Sequence, residues 1–207
     1  MPSYLSFSIL FFLCIVTAHS QQFPSEKQAD AFIAALQKQK VDTICSLKYD
    51  AVGYLGGHYG GDCPETEKII YIFWKANGKT YLTQKNNCKE YPVIVIKDDQ
   101  FWNIYFENKE LAATQKIKVP EVIVKDSTGT HIHKTLSFHY SFKEIALYIN
   151  GKRVLDDKSP DSFFHKNLIH NRKNINHSYN TSTVIYKLRT ALDKIIQKNS
   201  KRLVALK

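Results

Sequence analysis

Three groups of residues in this 207-residue chain have types and spacings that could do chemistry. Histidine comes first. His131, His133 and His139 share one parity within 130–142, so on a strand they would face the same side. Two imidazoles two residues apart on a strand converge enough to share a metal ion. His139 would lie roughly 20 Å further along, out of reach without a bulge. The other parity carries Ile132, Leu136, Phe138, Tyr140 and Phe142, which makes it the expected core face and puts the histidines on the wet one. No cysteine or carboxylate is spaced to complete a ligand set. Solvated histidines are the favoured reading, and no metal or cofactor is expected.

A thiol nucleophile is the second possibility, with Cys45 or Cys63 attacking and His58 as base. It needs a surrounding that stabilises the thiolate and a third group to orient the imidazole. Nothing in the sequence positions that group. Nearby, 53–61 holds five glycines in nine residues, the composition of a phosphate-cradling loop. Asp62-Cys63-Pro64 follows where such a loop needs a Lys-Ser or Lys-Thr opening a helix. A flexible connection into the first strand fits better, since glycine takes such shapes without steric cost.

Charge is the third and most informative feature. Residues 21–161 hold 19 Lys or Arg against 18 Asp or Glu, whereas 162–207 hold 10 basic residues against Asp193 alone. Within this region Lys187, Lys194 and Lys201 recur every seven, with Lys198 beside them. Ile185, Leu188, Leu192 and Ile195 recur at spacings of three and four on another side. A basic amphipathic helix of this kind lies on an anionic membrane surface or binds an acidic polymer. The plainer reading packs its apolar stripe on a sheet and leaves the lysines solvated. The two are compatible, because a packed helix still presents its lysines. Nucleic acid is disfavoured: the chain has 25 Lys and only 4 Arg, and Arg is the residue suited to bidentate phosphate and base contacts.

These residues need elements to position them. Residues 5–18 are apolar and uncharged, too short for a membrane span and right for a signal peptide. Ala18-His19-Ser20 places small residues where a signal peptidase wants them, so cleavage is expected between Ser20 and Gln21, with a cut after Ala18 as runner-up. No Lys or Arg occurs in 1–8, a departure from the usual pattern. The chain is therefore expected to be exported, secreted or placed in the cell envelope, with 21–207 as a single domain and no later transmembrane segment. Of the three cysteines left, Cys63 and Cys88 flank the base of a hairpin turning at Asn77-Gly78, and they are the preferred disulfide. Cys45–Cys63 is the alternative.

A helix is expected over 25–40, capped by Ser25, with its apolar stripe trailing on through Val41, Ile44 and Leu47. Hairpins are expected at Asn77-Gly78 and Asn150-Gly151, between 91–97 and 101–107, and between 119–125 and 130–142. A short helix after Ser159-Pro160, a polar loop over 171–183 and a final helix over 183–203 complete the chain. Asn176 and Asn180 fit the glycosylation pattern and, if used, would mark that loop as exposed. The fold class is α+β: an antiparallel meander of about six to eight strands with an N-terminal and a C-terminal helix packed on it. The favoured function is a non-catalytic exported binding protein that contacts anionic surfaces or polymers. An envelope component assembling through its sheet edges and a small Cys- or His-dependent enzyme are the alternatives.

Overall fold

A computed structural model of the chain describes residues 24–52, 69–86, 89–135, 140–168, 171–204 and 206. The expected signal segment, the glycine-rich stretch, Cys63 and Cys88 lie outside the described residues.

The two Asn-Gly dipeptides turn as their chemistry requires. Asn77 and Gly78 both have positive φ, as do Asn150 and Gly151, the condition for a two-residue turn whose twist matches its strands. The first joins β2 (Ile70–Ala76) to β3 (Lys79–Lys85), paired from Ile70↔Lys85 to Ala76↔Lys79. The second joins β7 (Tyr140–Ile149) to β8 (Lys152–Asp157).

Between these hairpins runs β1 (Thr43–Val52), which pairs antiparallel with β2 on one side and β7 on the other. The short β4 (Ile94–Ile96) completes a six-stranded antiparallel sheet in the order β4-β3-β2-β1-β7-β8. The expected α+β class with an antiparallel, meander-like sheet is therefore what the chain forms.

Alternation along β1 sends Ile44 to one face of the sheet and Cys45 and Leu47 to the other. Helix α1 (Pro24–Lys38) lays Ala29, Ile33 and Leu36 on the first face, against Ile44, Ile70, Ile72 and Trp74. The second face meets α5 (Val184–Asn199), which buries Leu188, Leu192 and Ile195 against Leu47, Phe73, Ile145 and Leu147. Burying each such side chain is worth about 1.5–3 kcal/mol, so the final helix is held to the sheet by its apolar stripe.

Several expectations are corrected. The stripe through Val41, Ile44 and Leu47 is not helical: α1 closes at Lys38, Lys40 takes φ 61°, and Val41 N–H donates back to the Leu36 carbonyl. Ser25 is the second residue of α1 rather than its cap. The expected strand over 101–107 is α2 (Gln100–Glu107), because Phe101, Trp102 and Tyr105 share one helical face and are buried together. A second short helix, α3 (Lys109–Thr114), follows it.

The expected strand over 130–142 is divided. Its start is β6 (Gly129–Lys134), which pairs only with β5 (Glu121–Asp126) in a separate ribbon, and its end belongs to β7. Beyond Pro160 the chain makes a single 3₁₀ turn, Asp161–Phe164. The supposed polar loop contains α4 (His177–Ser182). Among the described residues no helix is long and apolar enough to cross a membrane.

Candidate functional site

Helix α5 is capped by Thr183, whose hydroxyl accepts from the Tyr186 N–H at 3.3 Å, while the Gln115 side-chain oxygen accepts from the Val184 N–H at 2.8 Å. These two acceptors satisfy donors that would otherwise be orphaned at the helix start. Lys198 sits in the last turn, where a cation favours the helix dipole.

The charged side chains of α5 sort into two sets. Arg189 turns inward, 3 % exposed, where it pairs with Asp157 at 3.3 Å and with Asp161, donates to the Ser159 carbonyl at 2.7 Å and stacks over Phe164. Asp193, the helix's single acid, is held at 2.5 Å by Lys143 of β7 and at 2.5 Å by the Tyr49 hydroxyl of β1. Burial first, and then the Asp193 carboxylate, push the Tyr49 hydroxyl well above its ordinary pKa, so it acts as a fixed donor.

The second set is the predicted stripe. Lys187, Lys194 and Lys198 on α5, and Lys201 in the 3₁₀ turn Ser200–Arg202, are all exposed. None pairs with an acid among the described residues. From Lys187 to Lys201 the stripe runs roughly 20 Å at helical rise.

Elsewhere some basic side chains are answered locally. Lys48 lies against Glu26 and within 3.5 Å of Asp50 and 3.7 Å of Glu144. Burial pulls its ammonium down, yet the Glu26 hydrogen bond and the three carboxylate charges leave it above the usual lysine value. Arg153 pairs with Glu144 and Asp156. Other exposed lysines, Lys89, Lys97, Lys116 and Lys125 among them, likewise have no acid partner among the described residues; what sets the α5 lysines apart is their alignment along one helix face.

The other candidate residues do not assemble into a site. On the β5–β6 ribbon His131 and His133 are exposed, as expected, but the isoleucine face expected to be core is exposed as well. Val122, opposite His133, is buried, whereas Ile123 and Ile132, opposite each other, are 53 % and 64 % exposed. Both faces of β6 are therefore wet. His131 Nε2 lies 2.8 Å from the Thr128 hydroxyl and 3.4 Å from Asp126, a local turn interaction. Hydrogen bonds from the Thr128 hydroxyl and N–H hold the Asp126 carboxyl below its ordinary value. Among the described residues no three His, Cys, Asp or Glu side chains gather closely enough to hold a metal. His58 and His139 lie outside the described residues.

Cys45 is a free thiol, 1 % exposed on central strand β1. Burial pushes its pKa far up, which keeps it protonated and unreactive. Among the described residues two clefts are wide enough to admit a small molecule. One, of about 540 Å³, lies between the end of α1 and the β2–β3 turn. The other, of about 260 Å³, lies between α3 and β8. Neither is lined by Cys45, His131 or His133.

Spacing alone did not single out Arg202, which follows the stripe directly and fixes its far end by donating to the Val95 carbonyl at 3.1 Å. A basic pair at 201–202 after an apolar helix was the available signal. The sequon asparagines are also structural. Asn180 is fully buried, donates to the Lys118 and Phe163 carbonyls and accepts from the Lys118 N–H. Asn176 donates to the Val119 carbonyl at 2.8 Å. The loop expected to be exposed is instead the clamp that ties 116–121 to the turn before α5. No known protein family, curated protein or solved structure matches this chain.

Proposed function

We propose that this protein is an exported, non-catalytic binding protein that contacts anionic surfaces through the outer lysines of α5. One observation carries the reading: Lys187, Lys194, Lys198 and Lys201 form an exposed stripe with no acid partner among the described residues, while on the same helix Arg189 is buried and paired and the half-exposed Asp193 is paired. Because Leu188, Leu192 and Ile195 are committed to the core, α5 does not give its apolar side to a partner. Its contribution is electrostatic, on the order of 1 kcal/mol per lysine near an anionic surface and screened by salt.

Lysine suits this role, being a flexible point charge that demands no fixed partner geometry. Export, cleavage between Ser20 and Gln21 and a Cys63–Cys88 bridge belong to the same proposal. The first two are read by the mass of the secreted chain, the third by non-reduced peptide mapping.

Assembly through sheet edges gains no support. β4 has three residues, and Arg202 occupies the Val95 carbonyl. β8 is interrupted by a register shift opposite Leu147 and Tyr148 and carries Lys152, Arg153 and Asp156. Short, bulged and charged edges resist pairing.

The test is binding of the chain starting at Gln21 to heparin and to anionic vesicles, beside a variant with the four lysines changed to Gln. Loss of both interactions in a folded variant supports the reading. Equal binding by parent and variant overturns it.

A further inference from the structure

We infer that the free edge of β6 pairs two copies of this chain, edge to edge and antiparallel, about a two-fold axis at Ile132. The inference stands on the β5–β6 ribbon and is independent of the lysine stripe.

β4 and β8 close the edges of the six-stranded sheet, but the ribbon has an edge of its own. Among the described residues β6 pairs only with β5, and the register runs unbroken from Glu121↔Lys134 to Asp126↔Gly129. All six residues of β6 are exposed. Just beyond it, the Thr135 N–H donates to the Pro120 carbonyl at 2.9 Å, which makes 120 and 135 a hydrogen-bonded pair. Alternation then turns the backbone groups of His131 and His133 toward β5, and those of Thr130, Ile132 and Lys134 away from it.

The opposite edge of the ribbon is already occupied. The Ile175 N–H donates to the Glu121 carbonyl at 2.9 Å, and the Asn174 side chain accepts from the Glu121 N–H at 3.4 Å. The β6 edge has no such cover. It also lacks the proline or bulge that deters pairing, and its single lysine sits at the end of the strand.

The strand is complementary to itself, as a two-fold interface requires. With Ile132 opposite Ile132 of the second copy, Thr130 meets Lys134 and His131 meets His133. The three outward residues of each copy then exchange their backbone hydrogen bonds across the axis. Ile123 lies opposite Ile132 within one copy, and both are more than half exposed. Pairing sets Ile123 and Ile132 of both copies in one row on a single face of a four-stranded sheet. Lys134 keeps its own Glu121 on one side and gains a threonine on the other, so no like charges are opposed. One short strand makes a small interface, and the dimer therefore forms and dissociates with concentration.

Sedimentation equilibrium of the chain starting at Gln21, which keeps every described residue, is the test. The parent should dimerise as its concentration rises. Ile132→Lys sets two lysines face to face at the axis and should dimerise about tenfold or more weakly, at unchanged thermal stability. A parent that stays monomeric at the highest concentration overturns the inference. So does a variant that dimerises as well as the parent.

The register supplies a second readout that leaves Ile132 in place. His131 and His133 of opposing copies form a non-hydrogen-bonded pair, with Cα atoms about 4.5 Å apart, within reach of a disulfide. His131→Cys and His133→Cys proteins, mixed and oxidised, should yield a peptide linking 131 of one copy to 133 of the other. Absence of that link, or an equal yield of a 131–131 link from His131→Cys by itself, overturns the pairing.

Discussion

Arg202 places its guanidinium 3.1 Å from the carbonyl of Val95, 107 residues earlier in the chain. This contact fixes where the basic end of α5 sits relative to the sheet. It also occupies an acceptor on edge strand β4, so one interaction both orients the lysine stripe and blocks an edge. The positive charge of 162–207, a matter of composition alone in the sequence, is thereby given a definite place.

The clamp around α4 gives the first prediction. Asn180 is fully buried and makes three hydrogen bonds to Lys118 and Phe163. Asn180→Ala leaves the Lys118 N–H and carbonyl unpaired, while the Phe163 carbonyl keeps its bond from Asn174, and should cost about 2 kcal/mol, at roughly 1 kcal/mol per unpaired group. Equilibrium urea unfolding measures it, and a loss below about 1 kcal/mol would contradict the clamp. Expressed through a glycosylating secretory pathway, the chain should carry no glycan at Asn180, as read by peptide mass.

Much of the fold is legible because its signals are local. Asn77-Gly78 and Asn150-Gly151 specify hairpins wherever the flanking residues alternate, and both form with positive φ at the asparagine and the glycine. The final helix is legible for a similar reason: Ile185, Leu188, Leu192 and Ile195 repeat its period and are all buried.

Strand β1 was hidden by its own position. A central strand buried on both faces loses polar alternation, and Val41, Ile44 and Leu47 happen to continue the spacing of α1. The stop signal is also disguised, since Lys40 rather than glycine takes the left-handed conformation after the helix. In α2 the aromatic run Phe101, Trp102, Tyr105 and Phe106 has strand propensity, and tertiary burial overrides it. The asparagines of 174–180 look like a loop because their amides serve backbone groups distant in sequence, Lys118, Val119 and Phe163 among them. The lysine stripe was legible in full.

Arg189 separates structural charge from the exposed stripe on the same helix. It is the buried partner of Asp157, itself 8 % exposed, and of Asp161. Arg189→Met strands a buried carboxylate and should destabilise by roughly 3–5 kcal/mol. Lys194→Gln, one turn on and solvated, should stay within about 0.5 kcal/mol of the parent. Chemical denaturation of both variants distinguishes them, and equal effects would refute the division of α5 into paired and free charges.

Cys45 should behave as a core side chain. Its thiol is 1 % exposed and its pKa is raised by burial, so alkylation at neutral pH should occur only through unfolding. Mapping iodoacetamide-labelled peptides against denaturant concentration reads this directly. Rapid native labelling at Cys45 would revive a thiol mechanism; labelling that tracks the unfolding transition closes it.

The central claim is that the unpaired lysines of α5 are a binding surface. The most direct measurement is the salt dependence of heparin and anionic-vesicle binding by the chain from Gln21, beside the variant carrying Lys187→Gln, Lys194→Gln, Lys198→Gln and Lys201→Gln. The account predicts parent binding that falls steeply as salt rises, with the variant showing little binding and a shallower salt dependence at unchanged thermal stability. Absence of parent binding at low salt, or a variant that binds with the parent's affinity and salt slope, would contradict it.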